Sequence, residues 1–165
     1  KKYFSVNAVN VYIENREVMG WSQPILKSAQ EGLIGFIVKE IDGISHFLIQ
    51  AKVESGNFDI LELAPTVQCL TGNYRDGHND YKVPFINDVI EASSDNVLYK
   101  ALQSEEGGRF YQEQNLNVIV RVGDEFPTSV PENYCWFTLN QMLTFIKFNN
   151  YLNIQARSLI SAIKI

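Results

Sequence analysis

The chain has 165 residues, 45% of them hydrophobic and 20% charged, which is enough for one domain, residues 1–165, built on a sizeable core. A net charge of −5 argues against non-specific nucleic-acid binding, which needs a basic surface, and the longest apolar runs fall far short of a membrane span. Two cysteines and two histidines, none at metal-ligand spacing, supply no disulfide framework and no structural zinc site, and they fit a reducing, cytoplasmic setting.

Strand-like segments occupy the first two thirds of the chain. Trp21-Ser22-Gln23-Pro24 is an extended stretch whose indole can stack on a base or sugar; a place in the core is the commoner fate of such a tryptophan. Residues 32–54 read as a β-hairpin, because Asp42-Gly43 supplies the two positive-φ positions of a two-residue turn. That turn sets Ile41 against Ile44, Val38 against Phe47 and Gly35 against Gln50. On the returning strand Phe47, Ile49, Ala51 and Val53 share an apolar face, while His46, Leu48, Gln50, Lys52 and Glu54 share a mostly polar one.

Residues 59–63 and 67–70 read as short strands interrupted at Pro65, and residues 73–80 as a loop rich in Asn, Asp and Gly. A weak helix is read near residues 85–91. Strands follow at 97–104 and 115–122, joined through a Glu106-Gly107-Gly108 turn beyond which Phe110-Tyr111 extends the pairing. In the second of these, Leu116, Val118, Val120 and Val122 lie opposite Asn117, Ile119 and Arg121. Two helices close the chain. One spans 138–147, with Thr138 and Gln141 spaced as a capping box. The other spans 153–163, capped by Asn153, with Ala156, Leu159, Ile160 and Ile163 as its apolar stripe. Strands followed by helices give an α+β sandwich.

Several polar positions carry possible chemistry. Gln50, Lys52 and Glu54 recur roughly 6.5–7 Å apart along one strand face, a row able to hold a sugar ring, with Gly35 leaving room opposite. The plainer reading of that row is a solvated sheet face. His46 sits beside the turn and is read as idle. In the segment 102–110, Ser104, Glu105 and Arg109 surround the Gly-Gly turn, where Arg109 and nearby backbone N–H groups can hold a phosphate; an ordinary surface turn is the alternative. Arg157 in the last helix faces either an anion or solvent. No dinucleotide-binding glycine motif, P-loop, nucleophile elbow or HExxH zinc motif occurs.

A set of strings in order along nearly the whole chain resembles the NDP-hexose 2,3-dehydratases. They include Trp21-Ser22-Gln23-Pro24-Ile25, Gly32-Leu33-Ile34-Gly35-Phe36 and the run His46–Glu54 with Gly56-Asn57. Pro65-Thr66-Val67-Gln68, Asn73-Tyr74, Leu102-Gln103-Ser104-Glu105, Gly108-Arg109-Phe110 and Asn115 follow, then Asn153-Ile154 and Arg157-Ser158-Leu159. The resemblance implies a Nudix-like α/β/α sandwich with a mixed, mainly antiparallel sheet and two C-terminal helices. The Nudix box itself is absent, which disfavours a metal-dependent pyrophosphatase. It also implies elimination of water across C2–C3 of a dTDP-4-keto-6-deoxyhexose in deoxysugar biosynthesis, with no cofactor and no metal. Onto this sequence it carries Lys52 as donor to the enolate and Glu54 or Glu105 as base or acid. Trp21, Gln50, Gln68, Asn73, Tyr74, Ser104 and Asn117 are carried over as sugar or base contacts, and Arg109 and Arg157 as diphosphate contacts. Family members carry two tandem copies of such a domain, so a lone copy is expected to pair with itself as a homodimer. The alternative is a non-catalytic domain that binds a dTDP- or UDP-sugar. Neither nucleic acid nor membrane is an expected partner.

Overall fold

The computed structural model describes residues 3–70, 83–148 and 150–163. Among them the strands are β1 Phe4–Tyr12, β2 Gly20–Ser28, β3 Gly32–Ile41, β4 Ile44–Lys52, β5 Glu62–Pro65, β6 Val67–Leu70, β7 Val97–Ser104, β8 Gln114–Val122 and β9 Tyr134–Thr138. The helices are α1 Ile86–Ile90, α2 Leu139–Phe145 and α3 Ile154–Ser161. β1 and β2 form a separate antiparallel ribbon, and the other seven strands form one mixed sheet in which only β3 and β8 run parallel. No helix of the described residues is long and apolar enough to cross a membrane.

The Asp42-Gly43 turn forms as its residues demand, with φ of 51° and 76°. Val38 pairs with Phe47 and Ile41 with Ile44 as expected. Beyond that point the hairpin does not continue, and Gly35 meets Val67 rather than Gln50. β3 and β4 separate, and residues 62–70 enter the gap, with β5 pairing with β4 and β6 with β3. Thr66 sits where the two pairings change over. It is fully buried; its hydroxyl accepts from the Ile37 N–H at 3.0 Å and donates to the Leu48 carbonyl. One side chain thus satisfies two main-chain groups that the splayed strands cannot give each other. The first of the two short strands begins at Glu62 rather than residue 59, and Pro65 ends it without breaking the sheet.

Both sheet faces are covered, which is why β3 is buried from Gly32 to Lys39. Ile34, Phe36, Val38, Phe47, Ile49 and Ile119 pack under α2 and α3, against Met142, Ala156, Leu159 and Ile160. Leu33, Ile37, Leu48, Val118 and Val120 pack on the opposite side against Val89 of α1, Phe126 and Tyr134. The sequence pattern on β8 therefore divides its residues between faces correctly. The mostly polar face of β4 is not open along its length, because Leu48 is wholly buried in the second core. Lys39, only 5% exposed, donates to the carbonyls of Gly123, Asp124 and Phe126. Three ammonium protons meet three acceptors, so a buried charge ties the 123–126 loop to β3.

The helix ends follow their caps. Thr138 and Gln141 form the reciprocal capping box of α2. Asn153 caps α3 by accepting from the Ala156 N–H at 2.9 Å. β5 fixes where α3 begins: Leu63 N donates to Tyr151 O at 2.8 Å, and Asn153 N donates back to Leu63 O at 3.0 Å. Phe110 and Tyr111 do not extend β7–β8. They turn to β2, with Tyr111 N donating to Leu26 O at 2.7 Å.

Candidate functional site

A cavity of about 740 Å³ opens among the ends of β3, β4, β6 and β8, the 105–113 loop and the start of α3. This lies within the range of small-molecule sites, about 300–1,000 Å³. Lys52, Glu54, Gln68, Glu105, Arg109 and Arg157, all singled out in the sequence, line it. They come from four separate stretches of chain, and the wedge of β5–β6 between β3 and β4 is what brings Gln68 beside Lys52.

Two hydrogen-bonded sets organise the wall. In the first, Lys52 Nζ lies 2.9 Å from Glu54 Oε1 and donates to Gln68 O at 3.3 Å. Gln68 Nε2 donates to the same Glu54 oxygen at 3.3 Å, and Asn153 Nδ2 donates to Gln68 Oε1 at 2.8 Å. The helix cap sets the polarity of this set. Asn153 Oδ1 is taken by the Ala156 N–H, so its nitrogen must face Gln68, and the Gln68 nitrogen must then face Glu54. Lys52 and Glu54 are partly exposed, so their ion pair contributes at most about 1 kcal/mol to stability. Holding a carboxylate and an ammonium side by side at a cavity wall is the more consequential result. Asn153→Ala removes the cap and releases Gln68 together; it is expected to lower stability by about 1–2 kcal/mol in urea titrations.

In the second set, Asn115 Nδ2 donates to Glu105 Oε1 at 2.5 Å. Burial pushes the Glu105 carboxyl above its ordinary range; neighbouring Glu113 adds to the push, the Asn115 bond opposes it, and Glu106 adds a little more. Glu113 Oε2 is buried and has no hydrogen-bond partner among the described residues. Cys69 also lines the cavity, and burial raises its thiol to about 11 against the pull of Lys52. Among the described residues, the lining carries three cations, Lys52, Arg109 and Arg157, against five carboxylates, Glu54, Glu62, Glu105, Glu106 and Glu113. Among the described residues, Arg109 and Arg157 are therefore the groups toward which an anionic ligand can be held. No group of three or more His, Cys, Asp or Glu side chains that could hold a metal ion occurs among the described residues.

The remaining candidates are placed elsewhere. Gln50 and Ser104 do not line the cavity, and neither does Asn117, which is 2% exposed within the sheet and donates to Asn115 O at 3.0 Å. Trp21 is half-buried on the ribbon, where Nε1 donates to Gln23 Oε1 at 2.5 Å. Gln23 Nε2 in turn donates to Gly108 O at 2.6 Å, and Leu26 N to Arg109 O at 2.9 Å, so the ribbon supports the loop that carries Arg109. His46 holds Ile44 O at 2.9 Å, away from the cavity. Asn73 and Tyr74 lie outside the described residues. Sequence reasoning gave no role to Gly32, Asn115, Phe58 or Glu113, all of which line the cavity. Gly32 and Asn115 stood in the family-like strings, but no spacing rule marks an asparagine that reaches across to a neighbouring strand.

The fold is Nudix-like, an α+β sandwich on a mixed sheet. It superposes on the crystal structure of an ADP compounds hydrolase with a TM-score of 0.50 at 12% identity, covering 97% of this chain and 91% of that one. A likeness at this identity speaks to the fold alone. The family model for NDP-hexose 2,3-dehydratase matches residues 1–163, and the chain belongs to that family. It is 43% identical over 98% of its length to a dTDP-4-dehydro-6-deoxy-alpha-D-glucopyranose 2,3-dehydratase of Saccharopolyspora spinosa, and 40% identical over 99% to one of Streptomyces violaceoruber. The match covers 33% and 36% of those relatives, so the chain spans about a third of their length.

Proposed function

We propose that the cavity is the site of a sugar-nucleotide 2,3-dehydratase acting on a dTDP-4-keto-6-deoxyhexose. The observation that carries this is one cavity, in a chain of this family, lined by a lysine, two differently placed glutamates and two arginines. The C4 ketone makes the C3 proton acidic, and Glu54, 2.9 Å from Lys52, takes it. Lys52 donates to the C4 oxygen as the enolate forms; its contacts to Glu54 and Gln68 use two of its three protons. The C2–O bond then breaks as Glu105, whose carboxyl burial pushes above its ordinary range, gives a proton to the departing hydroxyl, and water leaves. The resulting C2–C3 enol takes at C2 the proton that Glu54 removed from C3, loses its O–H proton to the Glu105 carboxylate, and becomes the 3-ketone. Arg109 and Arg157 hold the diphosphate, and Gln68 orders Glu54. Asn73 and Tyr74 remain proposed contacts to sugar or base; Gln50, Ser104 and Asn117 do not line the cavity, and Trp21 acts through Gln23 on the Arg109 loop.

In this reading residues 1–165 form one cytoplasmic domain that works without a cofactor and pairs as a homodimer. The ribbon supports the pairing. Val9, Val11, Trp21 and Ile25 lie on one half-exposed face of it, and Tyr12 is 84% exposed on the other.

The test is incubation of the purified chain with dTDP-4-keto-6-deoxyglucose. The expected product lacks the C2 hydroxyl and carries a second ketone, detected by mass and by trapping of the 1,2-diketone. Because Glu105 must be protonated to act as acid, turnover should fall as pH rises through its raised titration point. Thermal stabilisation by the nucleotide sugar with no product would replace the enzyme by a binding domain.

A further inference from the structure

Asn115 lies at the start of β8 beside Gly32, its register partner on β3, and is 8% exposed. Its amide makes two hydrogen bonds of opposite sense. Oδ1 accepts from Gly32 N at 2.9 Å, and Nδ2 donates to Glu105 Oε1 at 2.5 Å. A backbone N–H can only donate, so the amide oxygen must face Gly32 and the nitrogen must face Glu105. The arrangement needs a glycine for room rather than for backbone freedom. A Cβ at Gly32 would stand 2.2 Å from Asn115 Oδ1, while Gly32 is not among the positive-φ glycines. Gly32, Asn115 and Glu105 all line the cavity.

We infer that Asn115, seated on Gly32, is a positioning residue that presents the Glu105 carboxyl to the cavity and fixes which of its oxygens remains for the substrate. The inference rests on the reading of this cavity as the substrate site. Oε1 receives the Asn115 N–H, so the proton of the acid form belongs on Oε2. Among the described residues, the titratable and charged groups that share the cavity lining with Glu105 are Glu106, Arg109 and Glu113 on its own loop and Lys52, Glu54, Glu62, Cys69 and Arg157 on the rest of the lining. Against burial and two neighbouring carboxylates, the Asn115 bond favours the ionised form, so it sets how readily Glu105 releases its proton.

Asn115→Asp tests this with almost no change of shape. One aspartate oxygen still accepts from Gly32, and the other meets Glu105 Oε1 as acceptor against acceptor. Glu105 titration, followed by NMR on chain carrying ¹³C-labelled glutamate, should move up by about one pH unit or more. The alkaline limb of the turnover profile should move up with it, and turnover at neutral pH should fall. Gly32→Ala, which dislodges the amide, should move the titration the same way. An unchanged Glu105 titration in a folded Asn115→Asp variant overturns the inference. If neither variant folds, the unsubstituted chain decides: the Asn115 side-chain amide resonances must track the Glu105 titration, and their indifference to it overturns the inference. These readouts need no turnover. An inactive chain whose Glu105 responds to Asn115 therefore rejects the dehydratase reading and keeps the relay.

Discussion

Lys52→Ala is expected to lower turnover about 10²–10³-fold, the loss that follows removal of one donor from a developing oxyanion. The same change should leave stability nearly untouched, because the partly exposed Lys52–Glu54 pair contributes at most about 1 kcal/mol. Lys52 is 22% exposed at its side chain and touches Glu54 and the Gln68 carbonyl, so its removal opens no core cavity. The contrast between a large kinetic and a small thermal effect separates a role in chemistry from one in folding. Steady-state rates and thermal unfolding on the same preparation measure both. Turnover within a few-fold of the parent would remove Lys52 from the mechanism and leave the C4 oxygen to another donor.

Thr66→Val is expected to produce the opposite pattern, a large loss of stability. Valine has nearly the same shape, so packing in the 0%-exposed site is preserved and the hydroxyl alone is lost. The Ile37 N–H and the Leu48 carbonyl are then both buried without their partner. Each such group costs about 1–3 kcal/mol, so a total of about 2–6 kcal/mol is expected. The urea midpoint should fall with an unchanged slope. Thr66→Ser, which keeps the hydroxyl and loses one methyl, should cost only about 1 kcal/mol. A Thr66→Val variant as stable as the parent would show that the hydroxyl bridge contributes nothing.

What the sequence made legible was local. The Asp42-Gly43 turn, the Thr138–Gln141 capping box, the Asn153 cap and the face alternation of β8 follow from rules that act over a few residues, and the structure bears them out. The partition of β4 held, with Phe47 and Ile49 in one core and Leu48 opposite, but the second face is covered at Leu48, because alternation reports two faces and not whether something packs on the second. The pairing of Gly35 failed for a related reason: a hairpin register assumes that strands stay together, and nothing near residues 35 or 50 announces that residues 62–70 will come between them. β9 went unread because Tyr134–Thr138 is short and runs straight into the α2 cap. Of the cavity, the family-like strings supplied Lys52, Glu54, Gln68, Glu105, Arg109 and Arg157. They left Asn115 without a role, since that role depends on Gly32 being its neighbour across a parallel pairing 83 residues away.

The insertion of β5–β6 also bears on the order in which the molecule assembles. The tip of the Asp-Gly hairpin joins residues close in sequence and can zip early, since short loops close at little entropic expense. Its open end cannot: β4 there pairs with β5, and β3 with β6 and with β8 some eighty residues downstream. Lys52, Glu105 and Arg157 thus meet only after distant parts of the polypeptide have docked. A synthetic ribbon covering residues 32–54 would keep its bend yet hold no pocket, and the cavity wall is brought together by late, long-range closure.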